Sequence, residues 1–506
     1  MSAQQLVQSW RNGRATLDAE GALRFAAPSA PRQAEKFRRA YDWIAGQALI
    51  SPYHDMDLGS PLVLGQGEAR LELPRSPGYA SFVLLPLLNL VTARRLVFIG
   101  GPGRGKTTMA TLMALLTGAP LDEVRQSVQH GHPQLTLADL LGSPLPGDLV
   151  RAEQFGDVRV QWRAWITNRV KIIDEYNRIP TKTQSALLSL MAEGYAEMYE
   201  QVVRCGRSAW YLTANDDQGG GTFPVIEALR DRIDLVVRCT PFHPRFLDTL
   251  AERVASEASP EEFVPEDLLC TAEELDEANR AVRALPVPPV VRELLGFLLG
   301  QLDFCLRASD RLEFRNKDTL HLAGRRVGQV CTEDCPLDKT ANLCTQTENG
   351  VSPRAVQSLL HFAQALAWFR GCAAVGAEEV RALLPWVLHD KLQPNLQSAF
   401  FHKPENQVYL TDRVSWIQQL FDQAVAQQAA YASGRGPTVE LQRRCAGGFA
   451  SLTTVDLRRR REQIRERLEQ VLHENELNAV VHADLVLLKD LYVRCQNELD
   501  RRERGE

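Results

Sequence analysis

The sequence predicts an α/β protein in which a mostly parallel sheet is flanked by helices, followed by an all-helical domain and a further helical C-terminal region. Three observations carry that expectation. A short strand, Leu96 to Ile99, runs into a glycine-rich loop and then a helix from Thr107 to Leu116. A second apolar run, Val170-Lys171-Ile172-Ile173, ends in the adjacent carboxylates Asp174 and Glu175. After Pro241 the pattern becomes helical. At 506 residues the chain has room for about three domains of ordinary size.

Residues 1–75 hold short helical patterns, such as Ala34 to Ala45, broken by Pro- and Gly-rich turns, and no readable motif. The longest apolar stretch, Tyr79 to Val91, is too short to span a bilayer and is interrupted by Pro86 and Asn89. Met1-Ser2-Ala3-Gln4-Gln5 lacks the basic-then-apolar profile of a signal peptide, so the expectation is a cytoplasmic chain without membrane insertion. From residue 76 to about 245 strands alternate with helices. Val158 to Arg163 alternates apolar and polar residues after the turn-rich Gly142-Ser143-Pro144-Leu145-Pro146-Gly147, which predicts a hairpin inserted before the acidic strand. A helix from Thr181 to Glu193 and a strand from Ser208 to Thr213, ending in Ala214-Asn215, complete this part.

Ser352-Pro353 reads as a cap followed by proline at the first helical position, with Val356, Leu359, Leu360, Ala363 and Ala367 at helical spacing. A second helix presents Val380, Leu383, Leu384, Val387 and Leu388 on one face, so residues 246–395 are expected to be helical. Residues 396–506 are helical and strongly charged, with glycine-rich breaks at Gly434-Arg435-Gly436-Pro437 and Gly447-Gly448.

Gly100-Gly101-Pro102-Gly103-Arg104-Gly105-Lys106-Thr107-Thr108 fits the phosphate-binding pattern of Gly, any four residues, then Gly-Lys-Thr, in the strand-to-helix context that the motif requires. Glycines let successive amides point at phosphate oxygens, reinforced by the positive end of the following helix. Lys106 is expected to reach the β- and γ-phosphates, and Thr107 with Asp174 to hold Mg²⁺. Glu175 is expected to polarise the attacking water, which makes the site hydrolytic. ATP and Mg²⁺ are therefore the expected cofactors.

Asp174-Glu175-Tyr176-Asn177-Arg178-Ile179-Pro180-Thr181-Lys182-Thr183-Gln184-Ser185-Ala186-Leu187-Leu188 resembles the signature of the MoxR group of AAA+ ATPases, in the ring-ATPase branch with a helix-2 insert. The resemblance covers about 75 to 392. It implies an AAA+ core over 76–245, a helical lid over 246–395 and roles for four more residues. Asn215 matches the first sensor, which positions water near the γ-phosphate. The stretch Gly219 to Arg232 resembles the segment that ends in a trans-acting arginine finger, assigned to Arg232 with Arg230 as the alternate. Arg354, in Ser352-Pro353-Arg354-Ala355, matches the second sensor, which reaches from the helical lid back to the γ-phosphate. A finger acting across a subunit boundary implies a homo-oligomer, and the family implies a hexameric ring. The hairpin near Val158 to Arg163 would be the helix-2 insert, and Tyr195 to Glu200 the hairpin before the first sensor.

Cys331, Cys335 and Cys344 lie close together in a loop-like stretch that departs from the ordinary family lid. With a fourth ligand, Cys305 or His321, they could hold a structural Zn²⁺, with an iron–sulfur cluster or free thiols as the alternatives. The other cysteines, including Cys205, Cys239 and Cys270, are expected to be small buried hydrophobes. Asp456 to Leu472 reads as an amphipathic helix whose four arginines, Arg458 to Arg461, are interspersed with Glu462, Glu466 and Glu469 in a salt-bridged, solvated face.

The resemblance thus implies a ring ATPase that remodels or activates a protein client, with a von Willebrand factor A domain protein as partner. A nucleic-acid-dependent motor or restriction-type translocase is the alternative. A net charge of −5, an isoelectric point near 6.1 and the lack of a nucleic-acid-binding signature weigh against it.

Overall fold

A computed structural model describes residues 16–17, 23–24, 32–49, 53–59, 62–66, 71–151, 153–215, 227–256, 259–331, 335–337, 339, 342–431, 436–474 and 476–504. The stretch from Gly219 to Ile226 that precedes the finger candidates lies outside these residues, as do Thr332 to Asp334 within the cysteine cluster and Gly434-Arg435 in the first glycine-rich break. The chain divides into two compact units, residues 1–288 with 353–391 and residues 289–352 with 392–506.

In the first unit, α1 (Ser81–Thr92) leads to β1 (Arg95–Ile99), the glycine loop and α2 (Lys106–Leu115). Then come β2 (Gln129–His130), β3 (Val170–Asp174), α3 (Thr181–Glu193), β4 (Ala209–Ala214), α4 (Glu227–Arg232) and β5 (Leu235–Arg238). The five strands form one parallel sheet in the order β5-β1-β4-β3-β2. Leu212 in β4 registers with both Val97 in β1 and Ile173 in β3, and Ala214 with Ile99. That register aligns the carboxyl ends of the central strands along one edge, where ligands of open α/β sheets bind.

Burial on both faces explains the apolar strands: Leu96, Val97, Phe98, Ile173 and Leu212 are wholly buried. The apolar stretch near Tyr79 to Val91 becomes α1, in which every residue is buried. Its two interruptions are accommodated by hydrogen bonds: the Tyr211 hydroxyl donates to the Pro86 carbonyl (2.8 Å), and Asn89 Nδ2 donates to Trp210 O (3.1 Å). Among the described residues no helix is long and apolar enough to cross a membrane.

Lys171, a lysine in a buried strand, is also explained. Its amine donates to Asn168 O (2.6 Å) and sits 5.6 Å from the centre of the Trp210 ring, and burial lowers its pKa to about 8. The expected insertion before the acidic strand is present: Gly142–Pro144 pairs antiparallel with Val160–Trp162 around a short helix, Pro146–Arg151. A second hairpin joins Tyr195–Met198 to Gln201–Arg204, with Tyr199 and Glu200 both at positive φ in the turn. Helices α5 (Pro353–Arg370) and α6 (Ala377–Leu388) pack together in the same unit, with Leu359, Ala363 and Ala367 buried on α5 and Val380, Leu383, Leu384, Val387 and Leu388 buried on α6.

The second unit is helical. Its last two helices, Thr454–Glu474 and Ala479–Glu503, pack as a hairpin that buries Leu457, Ile464 and Val471 against Leu485, Leu488, Leu491 and Leu499. The arginine-rich face is occupied by partners: Arg458 pairs with Glu503 (3.2 Å), Arg461 donates to Gln496 (2.6 Å), and Arg465 bonds Glu462.

The zinc expectation is not supported. Among the described residues, no three His, Cys, Asp or Glu side chains are placed to hold an ion, and Cys331, Cys335 and Cys344 are free cysteines. Cys305, one proposed fourth ligand, does lie near enough for its charge to act on Cys331 and Cys344. Burial nevertheless favours the neutral thiol at Cys331 and pushes that of Cys344 up to about 12, despite the buried Lys317 ammonium beside it.

Candidate active site

The cavity at the carboxyl edge of the sheet has a volume of about 420 Å³ and is lined by Pro102 to Thr108, Asp174, Glu175 and Asn215. Most of the residues singled out in the sequence therefore converge. The loop from β1 to α2 turns through two glycines at positive φ, Gly103 at 70° and Gly105 at 73°, a conformation that a side chain would strain. Lys106, nearly buried at the start of α2, donates to the carbonyls of Gly100 and Gly101 and, at 2.8 Å, to Asn215 Oδ1. The lysine is held across the loop, where a phosphate would compete with these carbonyls to accept its hydrogen bonds.

At the end of β3 the two carboxylates diverge. Asp174 Oδ1 accepts from Thr107 Oγ1 at 3.0 Å and from the Thr213 hydroxyl. Glu175 takes a left-handed backbone conformation, φ 52° and ψ 46°, unusual for a residue with a side chain. Its amide donates to Thr213 Oγ1 (2.9 Å), Asn215 Nδ2 donates to its Oε1 (2.7 Å), and the Arg178 guanidinium lies 3.1 Å from its Oε2. Asn215 thus bridges Lys106 and Glu175. A hydroxyl and a carboxylate already in contact, Thr107 and Asp174, form a hard-oxygen donor pair suited to Mg²⁺.

Three contributors escaped the sequence reading. Thr213 is fully buried and ties Asp174 to the Glu175 amide. Arg178 faces Glu175 from the next turn. Gly131, just after β2, donates its amide to Asp174 O (2.7 Å), and a Cβ there would lie 2.2 Å from Glu175 O. Only glycine allows this approach. The signal available for it was slight: a glycine beside a two-residue polar strand.

The arginines stand apart. Neither Arg232 nor Arg354 lines the cavity. Arg232 Nη1 donates to Ala228 O (3.0 Å) within its own helix, while its Nε is buried and, among the described residues, lacks a hydrogen-bond partner. Arg230 is exposed. Arg354 Nη1 donates to Asp231 Oδ2 at 2.6 Å, so the structure joins the candidate second sensor to the residue between the two finger candidates. Beneath them Asp234 is buried and accepts from Arg95 Nε (2.7 Å) and the Ser358 hydroxyl. Burial alone would raise its pKa, but the Arg95 and Arg94 guanidiniums and these hydrogen bonds hold it below the usual carboxylate value.

A parallel sheet of this order, with a phosphate loop after β1 and paired carboxylates at the end of β3, on the other side of β4, defines a nucleoside-triphosphate-binding protein of the P-loop class. Comparison with known proteins narrows the class. Residues 95–235 match the family model described as the ATPase family associated with various cellular activities (AAA), and residues 340–410 match the AAA lid domain. Protein MoxR of Paracoccus denitrificans is 24% identical over 333 residues, covering 62% of this chain and 84% of that protein. The uncharacterized protein YeaC of Bacillus subtilis is 24% identical over 325 residues, covering 64% and 85%. A crystal structure of a protein assigned as an ATPase from Cytophaga hutchinsonii superposes with a TM-score of 0.49 at 16% identity, over 76% of this chain and 94% of that one. The matched core and lid make this an ATPase of the AAA type, an ATP hydrolase, and the chain is similar to the MoxR proteins.

Proposed function

We propose that this ATPase works as a hexameric ring that remodels or activates a protein client, together with a partner carrying a von Willebrand factor A domain. The observation that carries the reading is the separation of charges: Lys106 and both carboxylates line the cavity, while Arg232 and Arg354 do not. Phosphoryl transfer needs positive charge on both sides of the transferred group, and a second copy supplies it when its arginines face the neighbour's cavity.

Within the cavity, the loop amides and Lys106 bind the phosphates, and Lys106 exchanges its carbonyl contacts for phosphate oxygens. Thr107 and Asp174 would hold Mg²⁺, which supplies charge neutralisation on the β- and γ-phosphates when bound. Glu175, oriented by Asn215, accepts a proton from the attacking water. Arg232, with Arg354 beside it, stabilises charge on the neighbour's γ-phosphate. Such a ring in the cytoplasm couples each hydrolysis to movement of one subunit against the next.

Sedimentation of the purified protein with and without ATP, beside turnover measured over a range of protein concentrations, tests the assembly. We expect a sixfold assembly with ATP and turnover per subunit that collapses on dilution; dilution-independent turnover by a monomer would refute it. Glu175→Gln should trap ATP-bound rings and retain client and von Willebrand factor A partner on purification. Salt-sensitive stimulation of turnover by DNA would instead favour a nucleic-acid motor.

A further inference from the structure

Between the two finger candidates stands a carboxylate that neither the motif nor the ring reading uses. Helix α4 has only six residues, too few to hold itself in water, so its orientation depends on tertiary ties. One tie is apolar: Leu229 is wholly buried, and Ile233, one turn on, is nearly so. The other is polar, the 2.6 Å contact from Arg354 to Asp231. Two ties on different sides of a short helix fix its rotation about its own axis, and with it the direction of Arg232.

The same contact acts on Arg354. That residue is second in α5, where the positive end of the helix dipole disfavours a cation. Asp231 offsets this. The surrounding charges include Asp234, Arg95 and the largely buried Lys391, whose amine feels both Asp231 and Arg354. Both partners of the ion pair are about two-fifths exposed, at 40% and 38%, so the pair contributes little to folding. Its consequence is geometric.

We propose that Asp231 is a positioning residue for ATP hydrolysis: it ties Arg354 to the finger helix so that Arg232 and Arg354 are presented as one unit to the neighbouring copy's nucleotide. The inference rests on the ring reading above and adds to it a residue that touches no substrate. It also distinguishes the two arginines of α4, because rotation fixed by Leu229 and Asp231 constrains Arg232, which is partly buried, more than the exposed Arg230.

Asp231→Asn, nearly isosteric, should lower kcat roughly 10- to 100-fold, as misplacement of a charge stabiliser does, while leaving KM, ATP affinity and melting temperature unchanged. Asp231→Glu should restore most of the loss. The decisive measurement uses mixed rings made by co-expression. Lys106→Ala copies cannot hold ATP but carry an intact arginine face, so they should restore part of the turnover of Asp231→Asn copies, as they should for Arg232→Ala copies. If Arg232→Ala is rescued and Asp231→Asn is not, the inference falls and the ring reading stands. If neither is rescued, both fall. An unchanged or raised kcat in Asp231→Asn also overturns the inference.

Discussion

The cavity and the arginine face of this ATPase are held in opposite ways. Around the cavity the side chains bind one another: Thr107 to Asp174, Asn215 to both Lys106 and Glu175, Thr213 to Asp174 and the Glu175 amide. On the arginine face, Arg232 bonds only its own helix among the described residues, and Arg354 bonds a carboxylate off the cavity. The first region is preorganised around the cavity, and the second is held away from it. In the ring proposed above, hydrolysis is conditional on assembly: one chain supplies the nucleotide-binding half, and the charge that stabilises the transition state comes from a neighbouring copy.

The largest expected effect breaks the comparison from the arginine side. Arg232→Ala should reduce kcat by about 10³-fold or more while leaving ATP affinity intact, as removal of a trans-acting finger does; a fall in affinity matching the fall in kcat would place Arg232 with its own cavity. Next comes the other region. Glu175→Gln should lower kcat by about 10²- to 10⁴-fold, the range for loss of a general base, with ATP binding retained in equilibrium titrations.

A change beneath both regions should move neither kinetic signature. Asp234→Ala leaves the Arg94 and Arg95 guanidiniums without their buried partner and should cost about 3 kcal/mol in urea unfolding, with ATP affinity of the folded protein preserved. The smallest effect concerns Lys171, near the start of β3. Its folded pKa, about 8, lies below the ordinary 10.5, so below pH 8 the amine is charged in both states and its burial costs stability in full. Between those values the folded chain has released a proton that the unfolded chain keeps, and stability rises with pH. Lys171→Met should therefore stabilise the protein by about 1 to 2 kcal/mol at pH 7, a gain that shrinks as the pH passes 8 and approaches 10.

Legibility followed locality. The phosphate loop, the acidic pair, helix Thr181–Glu193 and the inserted hairpin could be read because each is specified by neighbours in the chain. Strand β2, Gln129–His130, was illegible because two polar residues carry no periodicity, and β5, Leu235–Arg238, because four residues are too few to show one. The zinc reading failed for a related reason. Spacing brought three thiols together on paper, but where each sulfur sits and how strongly burial disfavours its thiolate depend on the surrounding unit.

By itself the sequence determined the chemistry on offer: which groups bind phosphate, which carboxylates end the strand, which arginines are available. Those are properties of residue types at short spacing, where backbone geometry leaves few options. Only the tertiary structure decided which groups meet. Thr213 and Gly131 come to the acidic pair across strand neighbours, and Asp231 comes to Arg354 from 123 positions away in the chain. The physical reason is that strand register and helix packing set these contacts through burial of apolar side chains, and no local pattern of polar residues encodes where that burial will bring them.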